Sequence, residues 1–171
     1  MKNNFKNKKG FTLVEILIYV VIFSILVTAM VSFGSSMTSA RLKNQMTLEV
    51  NDQGAKVMKI IVDAIQNAHS VNSPTIASSA SSLSVVTEIP STSPTVFYES
   101  SGILYTTEGG MQPIALTNNK VVVSNLLFSN FSHPDTPDII KVSFTLGNNT
   151  EGNSLGGMYS FSFNGSASLR K

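Results

Sequence analysis

Glu15 is the only charged residue between Phe11 and Phe33, and that isolation makes it the first candidate for chemistry. A carboxylate in a hydrocarbon-spanning helix costs about 2.5–3.5 kcal/mol at the bilayer centre and less near the interface, so such groups are usually paired and functional. The chemistry expected of Glu15 is therefore ion pairing, not acid–base catalysis. Gly10, a small residue with a flexible backbone, stands just before the apolar run. Elsewhere the reactive residue types are scattered. His69 and His133 have no partner motif, and each reads as a solvated loop or helix-end histidine. Asp135 and Asp138, within HPDTPD, offer two carboxylates to a cation, but a proline-rich turn with exposed acids is the better account. Glu108-Gly109-Gly110 reads as a hairpin turn, not a phosphate loop, because no helix follows it. Asn148-Asn149-Thr150 fits the N-glycosylation acceptor pattern and carries little weight. Cysteine is absent, which removes disulfide frameworks, thiol catalysis and Cys-based zinc sites together. No acid/base or metal cluster is visible, so neither an enzyme nor a cofactor is expected.

The chain has 171 residues, the length of one domain, and its net charge of +2 is unevenly placed. Lys2, Lys6, Lys8 and Lys9 fall in the first ten residues, which hold no acid; beyond them eight basic side chains face ten acidic ones. That remainder has no basic patch able to neutralise a row of phosphates, which argues against nucleic-acid binding by bulk charge and leaves a part in DNA uptake open. The stretch Ile16–Phe33 is uncharged, with Ser24, Thr28 and Ser32 as small polar breaks. Together with Phe11–Val14 it exceeds twenty residues, enough at about 1.5 Å per residue to span roughly 30 Å of hydrocarbon. Lysines before it and none within it predict a single pass with the N-terminus in the cytoplasm and everything after Arg41 outside. A secretory signal peptide would have a shorter apolar region and its small residue after it. A plain signal anchor explains the length and orientation but not Glu15.

The segment KKGFTLVEILIYVVIF, Lys8 to Phe23, resembles the N-terminus of prepilin-type precursors: type IV pilins, type II secretion pseudopilins and competence pseudopilins. The matching features are the basic leader, Gly10 at its end, Phe11, Thr12-Leu13-Val14, and Glu15 five positions into the mature chain. The resemblance implies that a membrane prepilin peptidase cuts between Gly10 and Phe11 and N-methylates Phe11. It also implies that Glu15 compensates the Phe11 amine of a neighbouring subunit as helices pack in a filament. Such a pair is buried, and removing one partner is costly. The partners implied are other pilin or pseudopilin subunits, the peptidase, the membrane assembly machinery and the lipid bilayer.

Small residues recur every four positions at Ser24, Thr28, Ser32, Ser36 and Ala40, a spacing that lets helices approach closely, though ordinary small-residue content explains it equally well. Leu42, Met46, Val50, Val57, Ile61, Ile65 and Ala68 continue an amphipathic pattern, and no proline occurs before Pro74. One helix from about Phe11 to about Ala68 is expected, roughly 90 Å long, with Gly34 and Gly54 as weak points, either of which can let it bend. The organisation expected is a leader over 1–10, a membrane or filament-core helix over 11–40, its amphipathic continuation over 41–70 and a β-rich head over 71–171. Many major pilins carry a proline midway through the membrane portion, and its absence here leans towards a minor subunit.

Ser70–Ser84 reads as a loop. Strand patterns follow at Leu83–Thr87, Thr95–Glu99, Ile103–Thr107, Lys120–Val123, Leu126–Phe131, Ile139–Leu146 and Met158–Phe163, with a hairpin at Ser100-Ser101-Gly102. Val142, Phe144 and Leu146 alternate with polar residues, as do Tyr159, Phe161 and Phe163, giving each strand one core face. The fold class expected is α+β, with an antiparallel sheet packed on the second half of the long helix. VSNLLFSNF (123–131), IIKVSFTL (139–146) and the tail YSFSFNGSASLRK resemble J-type minor pseudopilins and related minor pilins.

Overall fold

The computed structural model describes Gly10 and residues 12–134, 136–149 and 159–170. A 54-residue helix, α1 (Leu13–Gln66), is followed by antiparallel sheets, an α+β architecture. The chain divides into two compact units after Arg41. In the first, every described side chain from Leu13 to Ala40 is exposed except that of Glu15, which is half-buried. Its hydroxyls are satisfied within the helix. Those of Ser24, Thr28, Ser32 and Ser36 each donate to the carbonyl four residues back, at 2.8–3.0 Å, so the residues that break the apolar run present no unpaired donor.

Among the described residues the second unit holds nine strands. β1 (Ala68–Ser73), β3 (Ser82–Thr87), β4 (Thr95–Ser100), β5 (Ile103–Glu108) and β6 (Ile114–Ala115) form one antiparallel sheet in that order. β2 (Ser79–Ala80), β7 (Val121–Asn130), β8 (Ile139–Asn148) and β9 (Ser160–Ser168) form a second. Their inner faces and the Val50, Val57, Ile61 and Ile65 stripe of α1 share one core. Phe97, Leu83 and Leu104 come from the first sheet, and Phe128, Ile140, Val142, Phe144 and Leu146 from the second. The 3.6 period of the helix and the 2.0 period of the strands each leave one apolar face, and these faces bury one another.

The single sheet expected from the sequence is thus two. The expected loop over Ser70–Ser84 contains most of β1 and all of β2, because Ser- and Asn-rich edge strands lack the β-branched density that marks a central strand. Ala68, expected on the helix stripe, opens β1 instead. α1 stops at Gln66, where Asn67, a poor helix former whose side chain competes for backbone hydrogen bonds, takes a turn and Ala68 already belongs to β1. The Gln66 carbonyl is taken by the N–H of Arg170 at 3.1 Å, which ties the end of the helix to the end of the chain.

Two strands expected at Lys120–Val123 and Leu126–Phe131 are one strand, β7, with a bulge. Asn125 sits at φ 53°, and the register against β8 shifts between Ser124 and Leu127. Asparagine tolerates that left-handed conformation better than most residues. The extra residue re-phases the alternation: Val121 and Val123 are buried before it, Leu126 and Phe128 after it. The hairpin at Ser101-Gly102 is present, with both residues at positive φ between β4 and β5.

Gly54, expected as a bending point, is a site of close approach. A Cβ there would lie 2.0–2.5 Å from the ring of Phe163 on β9, and a Cβ on Gly165 would lie 2.7 Å from the Met58 sulfur. Helix and strand each supply a glycine where the other supplies a bulky side chain. Gly34, by contrast, has nothing within 4 Å of a Cβ. The expected aromatic core face of β9 is partial. Phe163 stacks on Phe144 with centroids 5.3 Å apart, whereas Phe161 is 48% exposed at the sheet edge. Met158, where that strand was expected to start, lies outside the described residues.

Candidate functional site

The start of α1 follows from four residues, Thr12-Leu13-Val14-Glu15. Thr12 is the cap: its carbonyl accepts the N–H groups of Glu15 (3.1 Å) and Ile16 (3.2 Å), and its hydroxyl Oγ1 accepts the Glu15 N–H at 3.3 Å. Glu15 therefore stands at the third helical position, where a carboxylate also favours the positive end of the helix dipole. Its Oε1 accepts the Tyr19 hydroxyl at 3.5 Å, one turn on, a long and weak bond. This local role was readable from the Thr-x-x-Glu spacing, which sequence reasoning used only for its resemblance. Gly10 is exposed, with open space around it. Phe11, the residue on which the expected cut and methyl group both depend, lies outside the described residues, as do the four leader lysines.

α1 is the one helix among the described residues long and apolar enough to cross a membrane, and none of its most apolar 18-residue window is buried inside the chain. Side chains such as Ile16, Ile22, Phe23 and Phe33 are each at least half exposed. A helix apolar all round needs an apolar surrounding that this unit does not supply itself.

A second polar constellation, invisible in the sequence, lies in the unit from Leu42. Glu49 Oε1 accepts the side-chain amides of Gln53 (2.5 Å) and Asn118 (2.9 Å), and Lys120 Nζ stands 3.7 Å from Oε2. Gln53, buried, accepts the Asn118 backbone N–H at 3.0 Å. Hydrogen bonds from Gln53 and then Asn118, helped by the Lys120 charge, hold the Glu49 carboxyl below its ordinary pKa against a smaller opposing effect of burial. The group fastens α1 to the turn before β7. The i,i+4 spacing of Glu49 and Gln53 is the only sequence signal, since Asn118 is 65 residues away. A cavity of about 450 Å³ beside it is lined by Leu42, Gln45, Met46, Asn119, Lys120 and Asn148 among others.

The remaining sequence candidates are not brought together. His69 lies on β1, and His133 and Asp138 lie in the turn between β7 and β8, where the His133 backbone carbonyl accepts the Thr136 hydroxyl at 2.8 Å. Asp135 lies outside the described residues. No group of three or more His, Asp or Glu side chains able to hold a metal occurs among the described residues. Glu108-Gly109-Gly110 forms a turn closed by the Met111 N–H on the Glu108 carbonyl at 2.8 Å.

Residues 5–31 match the family model described as the prokaryotic N-terminal methylation motif. No curated protein and no solved structure matches the chain.

Proposed function

From a chain that its N-terminal methylation motif marks as a type IV pilin/pseudopilin-like protein, we propose a minor subunit of a type IV pilus or of a related secretion or competence pseudopilus. It is cut between Gly10 and Phe11, methylated on Phe11, and built into a filament through α1. The observation that supports this reading is the conjunction at one helix end of an exposed glycine, a capped start and the half-buried Glu15, followed by an apolar helical window none of which is buried inside the chain. Before assembly the first unit is a single-pass membrane anchor, N-terminus in the cytoplasm and strands outside, as the leader lysines favour. In the filament Glu15 meets the α-amino group of Phe11 from a neighbouring subunit, exchanging lipid and interface for packed helices. The resemblance of the β7, β8 and tail segments to J-type minor pseudopilins, and the lack of a proline in the membrane portion, favour a minor over a repeating subunit.

Coexpression with prepilin peptidase and measurement of the mature mass tests the processing step. The expected product starts at Phe11 and carries one added methyl; a chain that keeps residues 1–10 would sink the proposal. Glu15→Ala is expected to abolish incorporation into filaments with membrane insertion intact. Unchanged incorporation refutes the pairing role, and processed protein that never enters a filament points to an anchored binding module. Low copy number against another pilin in isolated filaments separates a minor from a major subunit.

A further inference from the structure

Among the described residues four strand edges close the two sheets, and three of them are blunted. β2 and β6 are two residues long each, and β1 is broken by two register shifts. β9 is the exception: nine residues, SFSFNGSAS, with no charge, no proline and an unbroken register against β8. Natural sheets defend such edges, because a row of unpaired backbone groups is a template for another strand.

The ladder fixes which groups are free. At its two ends the Asn148 N–H bonds the Tyr159 carbonyl (2.9 Å) and the Leu169 N–H bonds the Asp138 carbonyl (3.0 Å). By antiparallel alternation, the odd-numbered residues of β9 face β8, and the N–H and C=O groups of Ser160, Ser162, Asn164, Ser166 and Ser168 face outward. These outward backbone groups have no hydrogen-bond partner among the described residues, and all five residues are exposed. On the inner face the Phe161 ring stands 5.1 Å from Phe163 and is left 48% exposed, as though one more apolar neighbour were missing.

We propose that the free edge of β9 is a strand-addition site that takes up an extended, uncharged segment of a different protein chain. Backbone pairing supplies the attraction, and alternate side chains supply the selection. An apolar residue on the inner face covers Phe161; small polar residues on the outer face meet the serines. A second copy of this chain fits less well. α1 touches β9 from the inner side at Gly54 and Met58. A copy paired antiparallel through the same edge is related by a two-fold axis normal to the sheet, so it brings an identical helix to that same side, where packed helices need about 8–10 Å between their axes. The inference does not depend on filament assembly.

The test uses the full chain in detergent micelles and a fluorescent nine-residue peptide of alternating Val and Ser. Saturable binding is expected, with amide exchange slowed about tenfold at Ser162, Asn164 and Ser166 and unchanged at Phe163 and Gly165. Ser166→Pro removes an outward donor while sparing the β8 ladder, so it is expected to lose peptide binding and keep the wild-type melting temperature. A peptide with proline at alternate positions is expected not to bind. Should Ser166→Pro fail to fold, the alternating protection in the unaltered chain still decides. Absence of saturable binding, or protection without alternation, overturns the proposal. So does concentration-dependent dimerisation through β9, which would make the occupant a second copy.

Discussion

The half of α1 before Arg41 and the half after it have nearly opposite relations to the rest of the chain. Val50, Val57, Ile61 and Ile65 are fully buried, each with neighbours from the sheets. Ile16, Leu17, Ile22 and Phe23 are each at least half exposed. Both stretches are helical and contain large apolar side chains, so apolar residues alone do not separate them. What separates them is charge. From Glu49 onward Asp52, Lys56, Lys59 and Asp63 share one face with it and leave a stripe for the strands to cover, whereas from Ile16 to Ala40 no charge interrupts the apolar surface. The first half depends on its surroundings and the second makes its own.

Substitutions that distinguish the halves can break that contrast. Phe128→Ala empties a fully buried site and should cost about 3–5 kcal/mol in thermal or denaturant unfolding. Phe23→Ala should leave that transition within about 0.5 kcal/mol and act instead on membrane retention, measured by fractionation. Equal losses at both positions would show that the first unit has a folded partner within the chain. Replacing the two helix glycines by leucine sharpens the point. Gly54→Leu drives a side chain into Phe163 and should cost about 1–3 kcal/mol, while Gly34→Leu meets open space and should not lower head stability.

Asn130 offers a polar version of the test. Its buried side-chain amide donates to the Pro74 carbonyl at 2.9 Å, and its Oδ1 accepts the Ser132 N–H at 2.9 Å. Asn130→Ala strands both groups and should cost about 1–3 kcal/mol. The smallest effect should come from Glu49. Its carboxyl is held below the ordinary range in the folded chain, so its contribution is present above the unfolded pKa and is lost as pH falls through the folded one. A Glu49→Gln variant should therefore lose part of the stability decline below about pH 4. An unchanged acid limb in chemical denaturation would show that the Gln53 and Asn118 contacts do not stabilise the folded state.

The helix, the strand-rich second half and the methylation motif were legible because each is written in local patterns: a long uncharged run, alternating residues, and Gly10 through Glu15 in one reading frame. The division into two sheets was not, since β1 and β2 are Ser- and Asn-rich and carry little strand signal. Nor was the role of Gly54. A helical glycine looks like weakness until the ring of Phe163, 109 positions away, is placed over it. The Glu49 cluster was hidden for the same reason: local spacing names one or two members, and topology supplies the rest. At the N-terminal end the Thr-x-x-Glu cap was present in plain view, masked by the more conspicuous meaning of its neighbours.

The bulge at Asn125 bears on how this chain tolerates change in length. Along β7, inside and outside are assigned by parity, with odd residues inward up to Val123 and even residues inward from Leu126. β8 opposite keeps one parity throughout, from Ile140 to Leu146. One more residue on either side of Asn125 would turn that half of β7 inside out against an unchanged partner. Loss of Asn125 itself would force the two halves to compete for a single frame. A backbone angle at one asparagine thus works as a frame mark, and a single-residue insertion or deletion within β7 is an error of reading before it is an error of packing.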